Sequence, residues 1–79
     1  PKMTNEQYNQ LEIGMEIEQV HEIVGRDGIF VQEYKTGSID RVVYKYCDKL
    51  TKLKHLMNRK FIYLSFDNGK LYRFEKTNG

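Results

Sequence analysis

The chain has 79 residues, room for one small domain, and its 39% hydrophobic and 30% charged residues mark it as globular rather than disordered. No apolar run approaches the roughly 20 residues of a membrane-spanning helix, and a single cysteine, Cys47, excludes an internal disulfide and a cysteine-rich metal site. The net charge of +2 hides a split, with residues 1–33 summing to −5 and residues 34–79 to +7, a dipole that steers association or orders self-contact unless the charges serve only as solvated faces.

The first predicted element is a short helix. Thr4 and Gln7 have capping-box spacing, Met3 and Tyr8 have hydrophobic-staple spacing, and Gly14 marks a stop. A second helix runs from about Glu16 to Val24, where Ile17, Val20, Ile23 and Val24 form one apolar stripe and Glu16, Glu18 and Glu22 fall mostly opposite. Gly25 is expected to end it in a left-handed conformation.

The remainder reads as strands. Ile29–Lys35, Arg41–Tyr46, Phe61–Phe66 and Leu71–Lys76 are β-prone runs, with Thr36-Gly37-Ser38 between the first two and Asp67-Asn68-Gly69-Lys70 between the last two. A two-residue Asn68-Gly69 turn sets Leu71 and Arg73 beside Phe66 and Leu64. A three-residue loop with a bulge at Gly69 sets Tyr72 and Phe74 there instead, and is favoured because it groups the large apolar residues. Residues 47–60 break the pattern. Leu50, Leu53, Leu56 and Met57 suit a short amphipathic helix whose other side holds Lys49, Lys52, Lys54, His55 and Arg59. A long hairpin extension is the competing reading.

Leu11-Glu-Ile-Gly14-Met15, then Val20, then Ile23-Val24-Gly25, together with Phe66-Asp-Asn-Gly-Lys-Leu71, resembles the signature of the β-lactamase-inhibitor-protein-like superfamily. That group includes small outer-membrane-assembly lipoproteins of the SmpA/OmlA type and other small bacterial lipoproteins. The resemblance implies one α+β domain over residues 1–79, with two short helices packed on one face of a four-stranded antiparallel sheet (ααββββ). It implies a non-catalytic, extracytoplasmic, protein-binding module, anchored to the membrane through an upstream lipobox. Two features depart from the pattern: Glu16 stands where a Ser or Thr usually caps the second helix, and the basic segment 47–60 is additional. Physically, Gly14 permits a sharp turn, Met15 fills the wedge between helices and sheet, and Asn68-Gly69 closes a hairpin.

No catalytic, cofactor or metal site emerges. Two histidines, His21 and His55, and Cys47 have no ligand spacing, and Gly25–Gly28 lacks a phosphate-loop lysine. Cys47, near Lys45 and Lys49, reads as a half-buried small residue, and His21 as a solvated helix residue between acidic neighbours. A chain this short also leaves little volume for a deep catalytic cleft. The expected contacts are Tyr44, Lys45, Tyr46, Lys49, Lys52, Arg59 and Tyr63, which join aromatic strand residues to the basic region 41–60. They suit a protein partner that is acidic at its contact surface. A cytoplasmic nucleic-acid-binding module using the same region is the alternative. Self-association through the charge dipole or an exposed edge strand is the third expectation. The plan requires the Ile17/Val20/Val24 stripe to face the sheet and every strand pairing to be antiparallel.

Overall fold

In the computed structural model, which describes residues 1–48 and 60–78, the element order is β1 (Lys2–Met3), α1 (Asn5–Tyr8), α2 (Ile17–Val24), β2 (Ile29–Thr36), β3 (Ile39–Asp48), β4 (Lys60–Asp67) and β5 (Lys70–Asn78). The class is α+β, with two short helices on a mixed sheet. Strands β2 to β5 form the expected antiparallel meander. The all-antiparallel expectation fails at β1, where Lys2 and Met3 pair in parallel with Cys47 and Asp48. The cause is local: Pro1 accepts a hydrogen bond from the Cys47 N–H at 2.8 Å, and running beside the end of β3 buries Met3 completely. β1 and β2 thus share one side of β3, each along a different part of it.

The capping box forms as the spacing predicts. The Gln7 N–H donates to Thr4 Oγ1 at 3.1 Å, and the Thr4 N–H donates to Gln7 Oε1 at 2.8 Å. α1 is only one turn long, yet Tyr8 and Leu11 still reach the core. α2 begins after Glu16, whose N–H donates to Gln19 Oε1 at 3.0 Å. Its stripe faces the sheet: Val20 and Val24 are buried, and Ile17 and Ile23 pack against the same cluster. Gly25 ends the helix but is not left-handed helical. Its φ of 91° and ψ of 161° place it in an extended region open essentially to glycine alone. That geometry leaves its N–H on His21 O and aims its carbonyl at the hydroxyl of Tyr46, 2.7 Å away.

The core is built from Met3, Leu11, Val20, Val24, Tyr46, Ile62, Leu64, Phe66 and Leu71. The register of β3 on β4 pairs Tyr46 with Ile62, Tyr44 with Leu64 and Val42 with Phe66, and directly opposed residues share a sheet face, so this is the helix-side face. The last hairpin combines the two expected registers. Its turn is the two-residue Asn68-Gly69, with φ of 51° and 84°, the positive values a type I′ turn demands. Leu71 therefore sits opposite Phe66. A bulge then skips Tyr72, so Arg73 opposes Ser65 and Phe74 opposes Leu64. The favoured Gly69 bulge is overturned, but Phe74 still reaches the apolar face because the extra residue is accommodated further along, at Tyr72.

The basic insertion is shorter than expected. Cys47, Asp48 and Lys60 belong to strands, so residues 49–59 join β3 to β4. The helix expected at Leu50–Met57, together with Lys49, Lys52 and Arg59, lies outside the described residues.

Candidate functional site: the open face of the sheet

Alternation sends every second residue of β2 to β5 away from the helices. Across β3 and β4 the pairs on this open face are Arg41 with Asp67, Val43 with Ser65, Lys45 with Tyr63 and Cys47 with Phe61. β2 adds Ile29 opposite Lys45, Gln32 opposite Val43 and Tyr34 opposite Arg41. β5 adds Arg73 opposite Ser65 and Glu75 opposite Tyr63. Tyr72, released by the bulge, also turns to this side, because the Arg41 guanidinium lies 4.5 Å from its ring centroid.

The face is aromatic and aliphatic with cations laid across it. Ile29, Tyr34 and Tyr72 are 46%, 53% and 48% exposed. Lys45 Nζ sits 4.6 Å from the Phe61 centroid, a cation–π contact that covers apolar carbon with the lysine stem. Arg41 is held harder. Its Nε and Nη2 donate to the two carboxylate oxygens of Asp67 at 2.6 and 2.9 Å, the two-bond geometry that suits a planar guanidinium. That bond holds the Asp67 carboxyl below the usual carboxylate range. Arg41 thereby links three strands: its own, Asp67 on β4 and Tyr72 on β5. Arg73 also meets a carboxylate, Glu75, at 3.2 Å.

These contacts sort the expected site residues. Lys45 and Tyr63 face each other across β3 and β4 on the open face. Tyr46 does not belong with them. It is 1% exposed on the helix-side face, its hydroxyl donates to Gly25 O, and burial pushes its phenol above the ordinary value. Tyr44 is on that side too, half-buried, with its ring edge-on to Phe30, Phe66 and His21. The period of two that the sequence offered separates Tyr44 and Tyr46 from Lys45. His21 is likewise not simply solvated: it is half-buried with its ring centroid 6.1 Å from Tyr44 and 6.4 Å from Phe66. Burial, helped by Arg26, lowers its pKa.

The expected contacts do not name Ile29, Tyr34, Phe61 or Tyr72, and they include Arg41 only as the start of the basic region 41–60. Alternation from Tyr63 along β4 would have found Phe61 and, across the ladder, Arg41. Tyr72 depends on the bulge, which no local sequence signal marked.

Gly14 and Met15, read as structural, connect the helices to the last hairpin. The Gly14 N–H donates to Leu71 O at 2.8 Å, the Leu71 N–H to Met15 O at 2.7 Å, and the Ile17 N–H to Gly69 O at 2.8 Å. The helical half is thereby fixed to β5 by main-chain bonds. Asn68 ties the two turns together at the same end of the sheet. Its side chain accepts from the Asp40 N–H at 2.9 Å and donates to Ser38 O at 3.1 Å.

Among the described residues no three His, Cys, Asp or Glu side chains are grouped as a metal site would require. None of the described helices is long and apolar enough to cross a membrane. A search of the curated proteins returns no match to this chain. The family model described as Beta-lactamase inhibitor (BLIP) matches residues 1–47, from β1 through both helices and β2 to near the end of β3, which is more than half of the chain. With that match and the two-helix, sheet-backed architecture that carries it, the chain belongs to the Beta-lactamase inhibitor (BLIP) family.

Proposed function

We propose that this chain is a non-catalytic protein-binding domain of a small bacterial cell-envelope lipoprotein, and that it holds its partner with the open face of the sheet. The family is that of an inhibitor of an enzyme, and inhibition of an enzyme by a protein acts through protein–protein contact, which supports the reading. The observation that carries it is the patch made by Tyr34, Arg41, Lys45, Phe61, Tyr63 and Tyr72, drawn from four neighbouring strands and left uncovered by the helices. Tyrosine and arginine with restricted side chains make large contact area at low entropic cost, which is what interface anchors need.

Because Arg41 and Arg73 each meet a carboxylate within the face, affinity there comes from ring and aliphatic surface more than from net charge. The acidic-partner expectation therefore rests on Lys45 with Lys49, Lys52 and Arg59, the basic residues that follow it in sequence. The same pairing weighs against nucleic acid, since a guanidinium already bound to Asp67 and stacked on Tyr72 is a poor phosphate contact. Membrane anchorage is proposed to come from a lipobox cysteine upstream of Pro1, outside the cytoplasm.

The test is affinity recovery from a bacterial envelope extract on the immobilised chain, with a purified β-lactamase as a defined second probe. Wild type is expected to retain a protein that the double variant Tyr63→Ser/Tyr72→Ser does not. Equal recovery by that variant refutes the face. Equal recovery by Lys52→Glu/Arg59→Glu removes only the basic stretch from the proposal. Retention of DNA or RNA at low salt in place of protein would favour the nucleic-acid reading.

A further inference from the structure

The two sides of the sheet end differently. Gly69 of the last turn and Leu71 at the start of β5 are covered by main-chain bonds with Gly14, Met15 and Ile17. β2 has β3 on one side, and all eight of its residues are exposed. Ile29, Phe30, Val31 and Tyr34 are 42–56% exposed, so apolar surface lies on both faces of this strand as well as at its edge. Among the described residues no strand pairs with its other edge, and a strand of this composition with such an edge is a template for another strand.

The hydrogen-bonding parity of that edge is fixed by its turn. The two-residue loop Gly37-Ser38 is closed by the pair Thr36 and Ile39, and in such hairpins the closing pair exchanges hydrogen bonds. Alternation then turns the main-chain groups of Tyr34 towards β3 and those of Glu33 and Lys35 outward. Only registers that pair outward residues with outward residues satisfy a new strand. A copy centred on Glu33 sets Glu33 against Glu33, and a copy centred on Lys35 sets Lys35 against Lys35; both oppose like charges. A copy centred on Tyr34 sets Glu33 against the partner's Lys35 and Lys35 against the partner's Glu33. Both pairs join outward main-chain groups and opposite charges, and both lie on the helix-side face with Tyr34 beside the partner's Tyr34 on the other.

We propose that β2 pairs antiparallel with β2 of a second copy of this chain in the Tyr34-centred register, with two reciprocal Glu33–Lys35 ion pairs. The two charges already lie 3.9 Å apart within one chain, so each would be flanked by opposite charge across the join. Both open faces then lie on one side of a continuous sheet. This pairing uses no residue of the helices and does not depend on the identity of any partner at the open face.

Sedimentation velocity over a concentration series tests it. Wild type is expected to shift from monomer towards dimer as concentration rises. Glu33→Lys and Lys35→Glu, each alone, oppose like charges twice per interface and are expected to dimerise about tenfold more weakly. Mixing the two variants restores complementarity and should recover the dimer, as should the double swap Glu33→Lys/Lys35→Glu. Both side chains are exposed, and matched thermal melts confirm that the variants fold. A wild-type monomer at every concentration overturns the proposal and leaves the edge to a foreign strand. A dimer unchanged by the single variants, or a mixture that stays monomeric, overturns it as well.

Discussion

Leu71 exchanges main-chain hydrogen bonds with the Gly14-Met15 turn: its N–H donates to Met15 O at 2.7 Å and its carbonyl accepts from the Gly14 N–H at 2.8 Å. The two sequence motifs that carry the family resemblance are therefore in direct contact, through residues more than fifty positions apart. Leu71 also shares the buried core with Val20 of α2. The open face depends on this contact indirectly, because Tyr72 follows Leu71.

Gly14 has a φ of 96°, and a Cβ added there would meet no atom within 4 Å. Gly14→Ala thus isolates backbone strain from packing. A loss of about 1–3 kcal/mol is expected, read by urea unfolding, with the denaturant slope unchanged.

Gly28 behaves in the opposite way. Its φ is not in the left-handed range, but a Cβ there would stand 2.6 Å from the Tyr46 ring. Gly28→Ala is expected to destabilise by about 1–3 kcal/mol through overpacking. Tyr46→Phe removes only the hydroxyl bond to Gly25 O and should cost about 1 kcal/mol. Tyr46→Leu clears the ring from the site, so Gly28→Ala in that background should cost much less than alone, a non-additivity measured by a double-mutant cycle.

These two glycines show what the sequence could disclose. Caps, stripes and turns are local, so Thr4 with Gln7, the Ile17-to-Val24 stripe and Asn68-Gly69 were legible from spacing. The Gly28–Tyr46 contact is not local, and neither is the partnership of Arg41 with Asp67, twenty-six residues away. The same limit explains the misplacement of Tyr46. Its strand was visible, but which of two alternating faces the helices would cover depended on pairing with Ile62. The parallel β1 was missed because two residues carry no periodicity.

His21 predicts a pH dependence. Burial against the sheet aromatics, with Arg26 adding, holds its pKa below the ordinary 6.5. The unfolded chain therefore binds this proton at higher pH than the folded one. The contribution of neutral His21 is complete above the unfolded value and is lost as pH falls from about 6.5 towards the lowered folded value. Melting temperature should drop over that interval, and His21→Gln should flatten the drop, whatever it does to the baseline. An unchanged slope would contradict this placement of the ring.

Asp67 acts in a separate, more acid window. Its carboxyl is lowered by the bonds from Arg41, so its contribution is present above the ordinary carboxylate value of 3.8 and disappears as pH falls through the lowered one. Asp67→Asn should remove that portion of the acid transition and free Arg41, lowering the melting temperature at neutral pH and loosening Tyr72 in ring-proton NMR spectra.

The central claim is that the sheet surface turned away from the helices contacts another protein. A photo-crosslinking side chain at position 63 or 72, compared with one at position 12 or 22 on the helical side, reads this directly in bacterial envelope extract. Adducts from 63 and 72 with the helical positions silent are the expected result. Adducts from 12 or 22 alone, or none from 63 and 72 in folded protein, would contradict it.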